Sequence, residues 1–258
     1  MTRAGHRVSR IAAALLAVAV VAPSTTTVNN AAELFVAVSN ASVSSISLGP
    51  GTYSLVAPIT ISRDVVLYAS SGARSSILSA NASRVLVVAA GANVELHGLV
   101  MRDGEGGSDH DDDGGCIHNS GTLSLYHTTV TACRTALGGC CGRDGGGIAI
   151  AAGGVLALFS SNVTGNSALG NGGPKGGGIY NQGTSPVVLI DSSVLGNSAF
   201  DADDIYGPSE IRFYSPSPPT LPPQSPLAPP TMPPHSPLPP AHPPPPPPAR
   251  PLPSPPPS

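Results

Sequence analysis

The residues with the clearest potential for chemistry are six carboxylates in one glycine-rich segment. They are Asp103, Glu105, Asp109, Asp111, Asp112 and Asp113. Calcium takes six to eight oxygen ligands in flexible geometry, and a loop of this kind could supply them. The segment lacks the ligand spacing of an EF-hand and has no glutamate at the closing position. We therefore expect a solvated acidic loop at a corner of the fold, with calcium binding as the alternative.

Four cysteines fall close together just after this segment, at Cys116, Cys133, Cys140 and Cys141. In a secreted chain, four cysteines indicate two disulfides. A bond between Cys140 and Cys141 would be a strained vicinal bridge, so we expect Cys116 and Cys133 each to pair with one of those two. Zinc is the alternative because His118 and His127 lie nearby, but the paired C-x₂-C spacing of a zinc site is missing.

Catalytic residues are not expected. General acid–base chemistry needs two positioned groups, and this chain concentrates its carboxylates in loops. Asp191 is the one carboxylate that we place on a strand of the repeat region. Arg102 and Arg134 flank the acidic loop and make the best case for catalysis that the sequence offers.

The N-terminus has the features of a secretory signal peptide, residues 1–22. Arg3, Arg7 and Arg10 precede an apolar run from Ile11 to Ala22, which is shorter than the roughly 20 residues of a spanning helix. We expect cleavage after Ala22 and no transmembrane segment in the mature chain. The net charge then falls from −3 for the whole chain to 9 − 15 = −6, which argues against a nucleic-acid partner.

The C-terminus, residues 215–258, contains 24 prolines, no glycine and one fixed charge, at Arg250. Proline removes the backbone donor and fixes φ, so this tail is expected to be disordered or in the polyproline II conformation. Its Ser-Pro and Pro-Pro pattern resembles the hydroxyproline-rich glycoproteins of plant and green-algal cell walls.

The body, residues 23–214, is built from a repeat. Ile117, Ile148 and Ile179 are spaced by 31 residues, and each follows a glycine-rich triplet. Short runs of alternating apolar residues predict strands with one buried face, and stacking successive turns in parallel satisfies their backbones. The glycines fit positions of positive φ or of close approach between turns. Asn166 and Asn197, also 31 apart, are expected to form an asparagine ladder.

Upstream of the repeat, Asn30 and Glu33 have the spacing of a capping box. They precede an apolar stripe at helical spacing, which predicts a short helix, Ala31–Ser39, closing the N-terminal end of the stack. Short strands follow at roughly ten-residue intervals up to residue 101. The predicted fold class is therefore all-β: a right-handed parallel β-helix, or solenoid, with a short N-terminal capping helix and an extended tail.

Several segments resemble known families. Leu48–Tyr53, Ile59–Ile61 and Val94–Arg102 resemble the opening turns of pectin-lyase-like right-handed parallel β-helices. The Gly-Gly-x-Ile and Val-x-x-Asn pairs resemble the GGAI and FxxN repeats of polymorphic outer-membrane-protein-type adhesins. The chain departs from that pattern at Cys133, which stands where the first repeat asparagine belongs.

These resemblances imply a secreted, adhesin-like structural protein of a cell wall, extracellular matrix or cell surface. It would present a β-helix on a proline-rich stalk, contact polysaccharide or glycoprotein, and need no cofactor. The alternative is a calcium-dependent polysaccharide lyase of the pectate-lyase class that uses the acidic loop. N-glycosylation sequons stand at Asn40, Asn81 and Asn162.

Overall fold

The structure is a computed structural model that describes residues 24–70, 76–106, 113–135 and 143–212. The predicted signal peptide and the proline-rich tail lie outside these residues. Within them, the secondary structure consists of one helix and short strands. In chain order these are β1 (Ser24–Val28), α1 (Ala31–Ser39), β2 (Val43–Leu48), β3 (Gly51–Leu55), β4 (Ile59–Ile61), β5 (Val65–Ala69), β6 (Ser76–Ala80), β7 (Leu86–Val88), β8 (Asn93–His97), β9 (Leu99–Arg102), β10 (Glu105–Gly106), β11 (Ile117–Asn119), β12 (Thr122–Tyr126), β13 (Thr129–Thr131), β14 (Arg134–Thr135), β15 (Ile148–Ile150), β16 (Val155–Phe159), β17 (Asn162–Thr164), β18 (Ile179–Asn181), β19 (Val187–Ile190), β20 (Ser193–Leu195), β21 (Ile205–Tyr206) and β22 (Ser209–Arg212).

The strands form a parallel β-solenoid, as the repeat predicts. Sheet A has the order β1-β2-β5-β8-β12-β16-β19-β22, sheet B the order β3-β6-β9-β13-β17-β20, and sheet C the order β4-β7-β11-β15-β18-β21. A two-stranded sheet, β10-β14, joins two of the turns. The chain visits sheets A, B and C in rotation, so each turn of the solenoid pairs with the next one in register. Ile117, Ile148 and Ile179 are direct register partners.

The core is a set of aliphatic columns that run along the solenoid axis. Alternate residues of each strand point inward, and the register places each one on its counterpart in the neighbouring turn. The central column of sheet A consists of Ile46, Leu67, Leu96, Leu125, Leu158 and Leu189, all buried. Tyr53, the largest fully buried side chain, directs its hydroxyl to the carbonyl oxygens of Val28 and Gly49.

The corners of the solenoid are single residues in the left-handed region of φ. In the later turns they fall into three columns: Gly98, His127, Ser160 and Asp191; Asp103, Ala132, Gly165 and Gly196; and Gly114, Gly145, Gly176 and Ala202. The placement of Asp191 on a strand was therefore wrong. This residue follows β19 and turns the chain from sheet A into sheet B with a φ of 49°.

Helix α1 lies against β1, β2, β3 and β4 at the N-terminal end, as expected for a cap. Asn30 is its N-cap residue: its side-chain oxygen accepts a hydrogen bond from the Glu33 backbone N–H at 2.9 Å. The Glu33 carboxylate accepts in turn from the backbone N–H of Asn29 at 2.8 Å. Leu34 and Ala37 are the buried residues of the helix. No helix in the described ranges is long and apolar enough to cross a membrane.

The disulfide pairing expected from the sequence is wrong for Cys116 and Cys133, which are bonded to each other. Both are buried inside the solenoid. The register explains the pairing. Cys116 lies just before β11, in the column of Gly147 and Gly178, and Cys133 lies in the column of Asn166 and Asn197. Cys140 and Cys141 lie outside the described residues.

An asparagine, Asn166 or Asn197, fills the corresponding space in each of the two turns that follow the disulfide. A Cβ atom built on Gly147 would lie 3.0 Å from Nδ2 of Asn166, and one on Gly178 would lie 2.7 Å from Nδ2 of Asn197. The cysteine pair therefore replaces a glycine–asparagine pair. Because both sulfurs are in the disulfide, these two cysteines are not ligands of the zinc site considered as an alternative.

Candidate functional site

Within the described residues, each carboxylate of the acidic segment contacts a different partner. Arg102 pairs with Asp103 (Nε to Oδ2, 3.1 Å), and Arg134 pairs with Glu105 (Nη2 to Oε2, 2.6 Å). The Asp113 carboxylate instead accepts a hydrogen bond from a backbone N–H of the next turn. Among the described residues, no group of three or more His, Cys, Asp and Glu side chains is placed to hold a metal ion. Asp109, Asp111 and Asp112 lie outside the described residues, so the calcium alternative stays a prediction.

A column of polar residues, which the sequence analysis did not recognise although it named Asp113, runs along one corner. Asp113, Asp144 and Lys175 are spaced by 31 residues. Oδ1 of Asp113 accepts from the backbone N–H of Asp144 at 2.9 Å, and Oδ1 of Asp144 accepts from that of Lys175 at 2.7 Å. The Lys175 ammonium donates to the Tyr206 hydroxyl at 3.2 Å and lies 4.5 Å from the centre of its ring. We call these three residues the carboxylate column, after the two aspartates that link the turns.

Burial raises the pKa of both aspartates in the carboxylate column. For Asp113 the backbone hydrogen bond from Asp144 and the charges of His118, Arg84 and Arg143 oppose this effect without cancelling it. For Asp144 the negative charge of Asp113 raises the pKa further. Each carboxylate thus bonds the backbone of the next turn while its charge is partly desolvated. This arrangement identifies the column first as a structural link between turns.

We predict that Asp113→Asn is at least as stable as the parent protein at neutral pH. The amide oxygen can still accept the Asp144 N–H, while the desolvated charge is removed. Because the folded-state pKa of Asp113 lies above its unfolded value near 3.8, the folded state binds more protons just above that pH. The parent protein should therefore gain stability relative to Asp113→Asn as the pH falls from neutral toward 4. Urea unfolding across this range measures the difference, and a difference that stays constant with pH would contradict the assignment.

The outer face of sheet A carries a column of aromatic rings. Tyr68, His97, Tyr126 and Phe159 are consecutive register partners on β5, β8, β12 and β16. The His97 and Tyr126 ring centroids are 4.4 Å apart with an interplanar angle of 8°, and those of Tyr126 and Phe159 are 4.6 Å apart at 7°. These four side chains are half-buried and lie on the outside of the solenoid. We call them the aromatic column.

A cleft of about 510 Å³ opens beside the N-terminal part of the aromatic column. Its lining residues are Ser45, Val66, Tyr68, Ala69, His97, Gly98 and His127. The His97 ring therefore has Tyr126 stacked on one side and helps to line the cleft. Its Nε2 lies 3.1 Å from the Glu95 carboxylate, which fixes the orientation of the ring. The exposed imidazole of His127 stands at the corner that follows β12.

No family model, curated protein or solved structure matches the chain. The function proposed below therefore rests on the chain's own residues. Two features stand out among them: the aromatic column with its cleft on sheet A, and the carboxylate column between Asp113 and Lys175.

The asparagines named from the sequence fall into two groups. Asn166 and Asn197 form a ladder inside the solenoid: Nδ2 of Asn166 donates to Oδ1 of Asn197 at 2.9 Å, and so does its backbone N–H at 3.0 Å. The sequon residues lie toward the outside. Asn40 and Asn81 are exposed, whereas Asn162 is half-buried on β17 and accepts a hydrogen bond from the Ser193 hydroxyl. Asn40 and Asn81 are thus the more accessible acceptors.

Proposed function

We propose that this chain is a non-catalytic extracellular protein of a cell wall, matrix or cell surface whose β-solenoid contacts polysaccharide through the outer face of sheet A. The aromatic column and its cleft carry this proposal. A sugar ring has an apolar face of C–H groups and a rim of hydroxyls. It matches a site that combines aromatic surface with a few hydrogen-bonding groups.

The composition of the cleft supports a sugar ring rather than a fully apolar ligand. Tyr68 and His97 supply aromatic surface, while the Tyr68 hydroxyl, the Ser45 hydroxyl and the His127 imidazole supply hydrogen-bonding groups. Aromatic side chains with a polar tip give a large contact area at a low cost in conformational entropy. The cleft is also open to solvent, so a long polymer can lie across it without its ends entering the site.

Secretion, anchoring of the protein by the tail and glycosylation belong to the same proposal. A buried disulfide is compatible with an oxidising compartment. The N-terminal pattern supports export, and the proline-rich tail of 44 residues could extend on the order of 130 Å as a polyproline II stalk. Such a spacer would hold the solenoid away from its point of attachment.

Binding of the full-length mature chain to defined polysaccharides tests the proposal. We predict that Tyr68→Ala and His97→Ala each weaken binding by about tenfold, since each removes one aromatic wall of the cleft. Isothermal titration calorimetry with soluble polygalacturonate and a neutral xylan provides the measurement. Tyr180→Ala is the matched control, because Tyr180 is a half-buried tyrosine on sheet C that stacks with Tyr206. Equal losses in all three variants, or no binding to either polymer, would refute the proposal.

The same polymers distinguish the lyase alternative. A lyase of the pectate-lyase class would produce unsaturated uronates from polygalacturonate in the presence of calcium, and would lose this activity in Asp111→Ala. The ion pairs of Arg102 and Arg134 with two different carboxylates favour a structural role for both arginines. We therefore expect no unsaturated product.

A further inference from the structure

The C-terminal end of the solenoid leaves part of its core uncovered. Ile211 on β22 is the register partner of Leu189 and continues the central column of sheet A. The six preceding members of that column are at most 2 % exposed, whereas Ile211 is 64 % exposed. Ile211 has the chemistry of a core residue and lies at a core position, but no further turn of the described residues covers it. Phe200 and Leu195, in the same last turn, are also largely exposed.

This end also presents open strand edges. β22, β20 and β21 are the terminal strands of sheets A, B and C. Among the described residues, each pairs only with the preceding turn, which leaves the backbone N–H and C=O groups of its other side to a further strand. Such an edge is a template for strand pairing, and proteins usually blunt or cover it. The N-terminal end differs, because α1 lies against the first strands there.

The chain's own C-terminal segment is a poor strand to add to this edge. Of the 44 residues from 215 to 258, 24 are prolines, which have no N–H to donate. Head-to-tail stacking of copies is also disfavoured, because α1 lies over the end that would have to receive β22. A second copy that approaches with its own C-terminal end needs neither a proline-rich strand nor an uncapped N-terminal end. The two copies are then related by a two-fold axis, which brings the same surface of each together and closes the assembly.

The charges on β22 fit this two-fold arrangement. Glu210 and Arg212 lie on either side of Ile211 in sequence, and both face the side of the strand opposite to Ile211. Nε and Nη2 of Arg212 donate to the Glu210 carboxylate at 2.9 and 3.0 Å. In an antiparallel pair of β22 strands centred on Ile211, each Glu210 stands opposite Arg212 of the second copy, and the two Ile211 side chains meet. Opposite charges across an antiparallel pair stabilise it, and like charges in the same places destabilise it.

We propose that the protein forms a two-fold symmetric homodimer through its C-terminal end, in which the β22 strands pair antiparallel and cover Ile211. Sheet A is then continuous through both copies. The two N-terminal caps lie at the outer ends, so the assembly stops at two. Each dimer carries two copies of the aromatic column and two proline-rich tails.

Sedimentation velocity of the full-length mature chain over a wide concentration range tests this proposal. The parent protein should show a reversible monomer–dimer equilibrium. Ile211→Lys should be monomeric throughout, because it places two charges at the centre of the pair. The matched control is Val36→Lys on α1, another exposed aliphatic residue but at the opposite end, and it should dimerise like the parent protein.

Charge reversal gives a sharper test that does not depend on whether one variant folds. Glu210→Arg and Arg212→Glu each place like charges opposite one another in a homodimer, so each should weaken dimerisation by about tenfold. A mixture of the two variants restores opposite charges and should form a heterodimer as tight as the parent dimer. Each variant's far-ultraviolet circular dichroism confirms that it is folded.

Three outcomes would overturn the proposal. A parent protein that is monomeric at all concentrations, with the β22 amides protected from hydrogen exchange, would show that the chain's own tail covers the edge. Open-ended oligomers would show a heterologous contact. A mixture of the charge variants that stays as weakly associated as each variant alone would exclude the antiparallel register.

Discussion

Gly146→Ala should destabilise the solenoid by about 3 kcal/mol, a large effect for the addition of one methyl group. A Cβ atom on Gly146 would lie within the van der Waals radii of the backbones of Ser167 and Gly177, and 2.6 Å from the backbone nitrogen of Ala168. All three contacts are with backbone atoms of the next turn, which cannot move aside as a flexible side chain can. The strain must therefore separate the turns or break the hydrogen bonds between them.

Gly153→Ala is the matched control for Gly146→Ala. Gly153 is exposed, its φ is not in the left-handed region, and nothing lies within 4 Å of a Cβ built on it. Its replacement should change stability by no more than about 0.5 kcal/mol. Urea unfolding of both variants measures the difference. Equal stabilities would mean that close approach at Gly146 is not what requires glycine there.

Loss of the Cys116–Cys133 disulfide is the second large effect. The bond closes a loop with a sequence separation of 17 residues, for which the chain-entropy model gives about 3 kcal/mol. The double variant Cys116→Ser, Cys133→Ser should lose that amount and should also bury two hydroxyls in the core. Its unfolding midpoint in urea should be insensitive to reducing agent, whereas that of the parent protein should fall when the bond is reduced.

The repeat suggests a better replacement for the disulfide. Cys116→Gly with Cys133→Asn installs the glycine–asparagine pair of the next two turns and extends the asparagine ladder by one residue. In the existing ladder, Oδ1 of Asn166 accepts the backbone N–H of Cys133, and its Nδ2 donates to the Val130 carbonyl oxygen. We expect this variant to exceed the serine variant by about 2 kcal/mol, from about two new hydrogen bonds. A stability below that of the serine variant would contradict the equivalence of the two pairs.

Much of this fold follows from spacing along the sequence. The 31-residue period of Ile117, Ile148 and Ile179 predicted parallel stacking, and Asn30 with Glu33 predicted α1. The glycine triplets illustrate how far such reasoning goes. Their first members have positive φ, their second members approach the neighbouring turn closely, and their third members leave room for an asparagine. The sequence analysis predicted positive φ and close approach between turns for the glycines as a group. Only the structure shows which glycine meets which requirement.

The cysteine pairing shows what the sequence analysis left unused. Cys133 was recognised as standing in an asparagine position, while Cys116 was not recognised as standing in the position of Gly147 and Gly178. Both departures occur in the same repeat, and together they indicate that the two cysteines face each other. Considering bond strain alone favoured the wrong pairing, because it ignored which positions the repeat brings into contact.

The candidate site was harder to predict than the fold. Tyr68, His97, Tyr126 and Phe159 are each the last or next-to-last residue of a sheet A strand, but their spacings are 29, 29 and 33 residues. Turns of unequal length hide this column from any search at one fixed period. The carboxylate column keeps the 31-residue period, yet Asp113 was read as part of an acidic loop because its neighbours in sequence are acidic.

The position of the disulfide has a mechanical consequence in the proposed arrangement. Tension applied through the C-terminal stalk enters the folded body at Arg212 and loads β22, the terminal strand of sheet A. Strands in a parallel stack then detach one after another, because each turn is held mainly by the preceding one. Strands would detach freely back through β18 and β15. The Cys116–Cys133 disulfide then carries the tension directly from Cys133 to Cys116, so the residues between the two cysteines are not extended. The segment between Cys116 and Cys133, which contains β11, β12 and β13, is therefore the part of the protein that a pull on the stalk cannot lengthen.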